Sequence, residues 1–280
     1  MRRILGLAAL AALSACASTP PAPSGAVSSG SAVATAMPNV PPFASVPYDP
    51  FRRSAAVAIA VREWRLWDKP VDDDPPDTRP PPLPEQKPER MTGLWQRVGE
   101  YWWIGQDWGV KEAAYTGMHD ERGNTFGAER DGDFAWSAAF ISYVMRIAGA
   151  GAHWPYSPSH HTYINAARRV GLGRATTDWW VTAEPTDAYA PQLGDLICFS
   201  RTARPLRYAQ LPAGYFPAHC DIVVQKDPGM LSVLGGNVDD AVTMKHVPVT
   251  ADGRLAPSDG RPLDTRYPWF VVLRVAYQAP

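Results

Sequence analysis

The chain has 280 residues, 45% of them hydrophobic, which is enough for one large domain or two small ones with a true core. Its 27 Lys and Arg nearly balance 28 Asp and Glu, and no long basic block occurs, which excludes the electrostatic footprint of a nucleic-acid binder. No Cys-x-x-Cys or His-Glu-x-x-His pattern is present, so neither a metal nor a cofactor is expected.

Arg2-Arg3 precede the apolar run Ile4 to Leu13, and small residues follow, the layout of a secretory signal over residues 1–16. The run is too short to span a bilayer as a finished helix. Leu13-Ser14-Ala15-Cys16 resembles a bacterial lipobox, which implies that Cys16 carries the lipid. With no Asp after it, the resemblance implies the periplasmic face of the outer membrane. An ordinary signal with an incidental cysteine is the other reading. Residues 17–50 are mostly Ala, Ser, Pro, Gly and Val, a composition that cannot bury enough surface to offset chain entropy, so a disordered tether is expected. A single domain is expected over 51–280.

Phe51 to Trp67 reads as a helix with Val57, Ala60, Val61, Trp64 and Trp67 on one stripe. Residues 68–90 turn to Pro and acid (Asp72-Asp73-Asp74-Pro75-Pro76, then Pro80-Pro81-Pro82), which suits an exposed insertion. Thr92 to Trp103 reads as a second helix with Thr92 as its N-cap. Its tryptophans, with Trp108, suit core packing better than a sugar-stacking platform. A loop covers 108–133, and Phe134 to Ala148 reads as a helix ended by Gly149 and Gly151. A short helix follows from Pro158 to Val170. Thereafter Asp195–Phe199, His219–Gln225, Leu231–Leu234, Ala241–Val247 and Trp269–Ala276 read as strands. Helices first and strands second predict an α+β fold with a mostly antiparallel sheet. Cys198 and Cys220 both fall in strands, as a disulfide if those strands are neighbours or otherwise as two buried thiols.

Ser137 opens an apolar helix, where backbone N–H groups and the positive end of the macrodipole favour an anionic nucleophile or oxyanion. His219 begins a strand on which it shares a face with Asp221 and Val223. Asn237 follows Gly235-Gly236. A hydroxyl at a helix start, an imidazole and an amide are the parts of a nucleophile, base and orienter relay. Each also has a plain structural role available: Ser137 as a helix cap, His219 as a hydrogen-bonded core histidine, Asn237 as a turn residue. Trp136, Tyr156, His160 and Asp221 are candidates for lining the substrate cleft. His160 and His161 are adjacent on a helix and point apart, which argues against their sharing a metal.

Three stretches, Phe134-Ala135-Trp136-Ser137-Ala138-Ala139-Phe140, Pro191-Gln192-Leu193-Gly194-Asp195-Leu196-Ile197 and His219-Cys220-Asp221-Ile222-Val223-Val224, together resemble the CHAP and NlpC-type amidases and endopeptidases of the papain-like fold. The likeness is nearest to an uncharacterised group of bacterial lipoproteins with a Trp-Ser-Ala-Ala-Phe motif. It implies a papain-like domain with Ser137 as nucleophile, His219 as base and Asn237 as orienter, with Asp221 and Asp240 as rivals for the last place. It further implies hydrolysis of an amide or peptide bond in peptidoglycan by a monomeric protein. Those families use Cys, and here Ser replaces it. A serine hydroxyl is not ionised in advance and needs a better-oriented base than a thiol does. The alternative is a catalytically silent module that binds peptidoglycan or an envelope partner protein.

Overall fold

The computed structural model describes residues 50–278 apart from 77, 79, 81 and 108, all within one compact unit, Val46–Pro280. The expected signal, tether and lipidated Cys16 lie outside the described residues, as does Trp108. Among the described residues no helix is long and apolar enough to cross a membrane.

Four α-helices precede or flank a six-stranded sheet: α1 Arg53–Leu66, α2 Leu94–Gly105, α3 Ser137–Ile147 and α4 His160–Gly171, then β1 Val181–Glu184, β2 Leu196–Ser200, β3 Ala218–Asp227, β4 Met230–Val238, β5 Ala241–Pro248 and β6 Trp269–Val275. The sheet order is β1-β6-β2-β3-β4-β5, and every pairing is antiparallel. The fold class is therefore α+β, as the order of sequence patterns predicts.

Local departures have identifiable causes. α1 buries Ala56, Ala60 and Glu63 and then Trp67, a line rotated from the expected stripe, because the small alanines let the helix approach its neighbours. Glu63 is a buried carboxylate reached by Arg62, Arg97, Tyr101 and Tyr143, and this network ties α1 to α2 and α3. The cap of α2 is Gly93 at φ 88° rather than Thr92, and Gln96 Oε1 accepts its N–H at 2.7 Å. The 68–90 segment is not wholly exposed: Asp72 and Glu89 are buried, and Val71 bridges Met244. The loop over 108–133 contains two short 3₁₀ turns, Lys111–Ala114 and Ala128–Phe134.

Both faces of the sheet are covered. Cys220, Ile222 and Leu234 belong to the core shared with the helices, whereas Ile197, Phe199, Val223 and Val233 pack with Val249, Leu255 and Tyr267 on the other side. Cys198 and Cys220 oppose each other across β2 and β3 with Cα atoms 4.1 Å apart, and they form a disulfide.

Candidate active site

Ser137 is the first residue of α3, and the first helical hydrogen bond of this turn runs from Phe140 N–H to the Trp136 carbonyl. The N–H groups of Ser137, Ala138 and Ala139 therefore point out of the helix end, as at any helix start. Ser137 Oγ lies 2.7 Å from His160 Nε2, and the Tyr163 hydroxyl bonds the other nitrogen, Nδ1. His160 and Tyr163 stand three apart on α4, a spacing that stacks their side chains on one face. That spacing is visible in the sequence and was the available signal for Tyr163.

His219 is not the partner of Ser137. It shares a sheet face with Asp221 and Val223, and the helices pack on the opposite face, formed by Cys220 and Ile222. Its Nε2 lies 2.9 Å from Asp221 Oδ1, while Lys245 Nζ donates to Asp221 Oδ2 at 2.7 Å. All three side chains are buried. His219 Nδ1 is buried with no partner. The two histidines nevertheless meet, with ring centroids 5.3 Å apart.

Gly235 and Gly236 make both halves possible. A Cβ on Gly235 would lie 2.0 Å from Asp221 Oδ1, and one on Gly236 would lie 2.5 Å from Phe140 Cβ. The adjacent glycines thus admit the histidine–aspartate pair on one side of β4 and α3 on the other, where any larger residue would collide.

Asn237 does not orient a histidine either. It adopts φ 56° at the irregular end of β4 and donates from Nδ2 to Glu89 Oε2 at 3.2 Å. The same oxygen accepts Trp136 Nε1–H at 2.6 Å. Trp136 is buried against Trp67 and Tyr101, so it is a core side chain rather than a cleft wall. Asp240 sits in the β4–β5 turn, 3.4 Å from Lys87. Asp195, from the Gly-Asp pair, is a buried anchor that accepts N–H groups of Gln192 and Val275 and the Tyr189 hydroxyl. Tyr156 lines a separate cavity under Arg146.

The electrostatics follow from burial. Desolvation pushes His219 down to about 4, against the pull of Asp221, and holds His160 well below its ordinary value. Both rings are neutral at neutral pH. Burial opposes the charge of Asp221, yet Lys245 and then His219 hold its carboxyl below the usual carboxylate range. Glu89 is pushed up to about 8, first by burial and then by the Asp240 charge.

A cleft of about 1170 Å³ lies beside this centre, between the Pro-rich segment (Pro75, Pro76, Pro80, Pro82) and the sheet end at Phe199 and Asn237. The Phe199 ring is 5.2 Å from that of His219. Ser137 and His160 are both buried, at 6% and 4% exposure. Among the described residues no group of three or more His, Cys, Asp or Glu side chains is placed to hold a metal ion.

Residues 89–275 match the family described as an uncharacterized protein conserved in bacteria, DUF2272, and the chain belongs to it. No curated protein matches the chain, and no solved structure does. Family membership defines a bacterial domain and leaves the chemistry to be argued from the residues.

Proposed function

We propose that the chain is a hydrolase in which Ser137 is the nucleophile and His160 its base. The observation that carries this reading is the 2.7 Å contact of Ser137 Oγ with His160 Nε2 at a helix start, since nucleophile and base within hydrogen-bond reach are the signature of an activated hydroxyl. Neutral His160 Nε2 takes the Ser137 proton as Oγ attacks a carbonyl carbon. Nδ1–H then donates to the Tyr163 oxygen, and the N–H groups at the start of α3 face the developing oxyanion. The protonated His160 gives that proton to the amine nitrogen as the carbon–nitrogen bond breaks, and water then attacks the acyl carbon, losing its proton to His160, which returns it to Ser137 Oγ as the acid leaves. Burial, His219 and Arg201 outweigh the pull of Asp221 toward the imidazolium, so His160 rests neutral and takes a proton only as the attack proceeds.

The likeness to CHAP and NlpC-type enzymes supports an amide or peptide bond of peptidoglycan as substrate and a papain-like arrangement of the fold. The Leu13-Ser14-Ala15-Cys16 run supports attachment to the periplasmic face of the outer membrane through lipid on Cys16, with peptidoglycan as the partner. A fluorophosphonate probe tests the reading. Ser137 should be labelled, Ser137→Ala should abolish labelling and His160→Ala should slow it strongly.

The second reading is a silent module that binds wall peptides or a partner protein in the cleft. It is favoured by one observation, that a phenol rather than a carboxylate holds His160. Absence of labelling together with binding to insoluble peptidoglycan selects it.

A further inference from the structure

The cleft of about 1170 Å³ beside the Ser137 centre is larger than the usual small-molecule site and has room for an extended segment of several residues. Much of its wall is proline and aromatic ring, which supplies contact area without choosing among peptides. The charges choose. Among the described residues three cations line the wall, and they are placed differently. Lys87 is held by Asp131 at 2.7 Å and Asp240 at 3.4 Å, and Arg266 by Asp264 at 2.9 Å, so both belong to the frame of the cleft. Arg201 directly follows β2, and its N–H donates to the Pro217 carbonyl at 3.0 Å, which fixes its backbone beside the start of β3. Its side chain is exposed, and the guanidinium lies 5.8 Å from the centre of the Phe199 ring.

That position joins Arg201 to the reacting pair. The Phe199 ring is 5.2 Å from that of His219, and His219 is 5.3 Å from His160, so Arg201, Phe199, His219 and His160 form one row from the cleft wall to the base of Ser137. The electrostatics agree with the geometry. Burial chiefly holds both imidazoles below their ordinary range, and Arg201 is among the charges that add to it. A group bound by this guanidinium is therefore held at the same end of the cleft as the reacting carbonyl. A guanidinium presents a planar fork of donors that matches a carboxylate. Elsewhere the wall carries aspartates, Asp74 from the Pro-rich segment and Asp239 and Asp240 from the β4–β5 turn, which give an acid group no such match.

We propose that Arg201 is the specificity-determining residue of this cleft, which takes a carboxylate-bearing peptide and holds its acid group on Arg201 while an amide bond is presented to Ser137. That the peptide is a substrate rests on the hydrolase reading, whereas the capture of its acid group by Arg201 is tested by binding alone.

Calorimetric titration of the full chain carrying Ser137→Ala, which binds without turnover, tests it with acetylated trialanine as the free acid, the same peptide as its amide, and the amide of the peptide with glutamate at its centre. A peptide bearing an acid should bind at least roughly tenfold more tightly than the neutral amide, the gain expected of one charge-assisted hydrogen bond. Preference for the free acid places the carboxylate at the chain end, and preference for the glutamate peptide places it on a side chain. Adding Arg201→Gln should bring the preferred acid down to the affinity of the neutral amide. Arg204→Gln, which removes the same charge from an exposed neighbour outside the cleft wall, should leave the preference intact. Arg201 is exposed, so its variant remains folded, which an unfolding curve will show. Equal affinity for all three peptides, no binding of any, a preference that survives Arg201→Gln, or an equal loss in Arg204→Gln overturns the assignment. The hydrolase reading fails separately: a parent chain that no fluorophosphonate labels, in which the acid preference still depends on Arg201, loses the nucleophile and keeps the carboxylate site.

Discussion

Two rows of buried polar side chains meet where His160 touches His219, and they are built on opposite principles. The row from the sheet, Lys245–Asp221–His219, is charged and ends in a ring nitrogen with no partner. The row from the helices, Tyr163–His160–Ser137, is neutral, and both nitrogens of its histidine are engaged. A carboxylate fixed between a lysine and an imidazole is an orienting group without a substrate hydroxyl in hand. An imidazole fixed between a phenol and a serine has the hydroxyl and lacks the carboxylate. The usual relay of nucleophile, base and carboxylate is here divided between two histidines, so the question for experiment is which of them moves the proton.

The largest effect separates them. Ser137→Ala should remove fluorophosphonate labelling altogether, and His160→Ala should slow it by about a thousandfold, the scale on which relay members act as a unit. His219→Ala, which leaves the Ser137–His160 contact in place, should slow it far less. If the two histidine variants exchange these outcomes, the charged row supplies the base and Ser137 must turn from His160 to reach it.

Next in size is the stability of the charged row. Asp221→Ala leaves Lys245 buried and uncompensated in the core, which should cost about 3–5 kcal/mol in urea unfolding. A cost near 1 kcal/mol would mean that water reaches Lys245 and that the row is not a dry one.

Much of this architecture is legible in the chain, and what is not has physical reasons. The helices and five of six strands follow from apolar spacing. β1 is missed because Val181–Glu184 is four residues long at a sheet edge, too short for a period to show. Ser137, at a helix start, is visible from local pattern. Its pairing with His160 is not, because strand alternation places His219 on a face without saying which face the helices cover. The buried ionisable groups mislead most: Glu63, Glu89 and Lys245 look like solvent-facing residues, and only three-dimensional partners make them tolerable inside. Trp136 attracts attention because it precedes Ser137 and Asn237 because it follows the paired glycines, whereas both donate to Glu89. The Cys198–Cys220 pair stays open until the strands are seen to be neighbours.

Glu89 gives a smaller, pH-dependent test of how the helix row is held, since its carboxyl supports the residue before Ser137. The unfolded chain titrates near 4.5 and the folded one near 8. A group raised in this way stabilises the fold fully below pH 4.5, and that contribution fades as pH rises from 4.5 through 8. Glu89→Gln keeps an oxygen for Trp136 and Asn237 without the charge. It should flatten the decline across that window and be more stable than the parent at pH 9 by about 1–3 kcal/mol in chemical unfolding. An unchanged pH slope would show Glu89 to be solvated.

The smallest change bears most directly on the division between the rows. His160 has two neutral tautomers. In one, Nδ1–H donates to the Tyr163 oxygen and Nε2 accepts from Ser137, as proton abstraction requires. In the other, the phenol donates to Nδ1, and Nε2–H donates to Ser137 and holds it inert. Each leaves one hydroxyl hydrogen unpaired, so hydrogen-bond counting alone does not choose between them. Tyr163→Phe removes the phenol oxygen and should cost about 1 kcal/mol of stability either way. The labelling rate decides. If the phenol accepts, its loss takes away the support of the imidazolium and slows labelling about tenfold. If labelling speeds up instead, Tyr163 is a clamp, the neutral row is a lock on Ser137, and the proton belongs to His219.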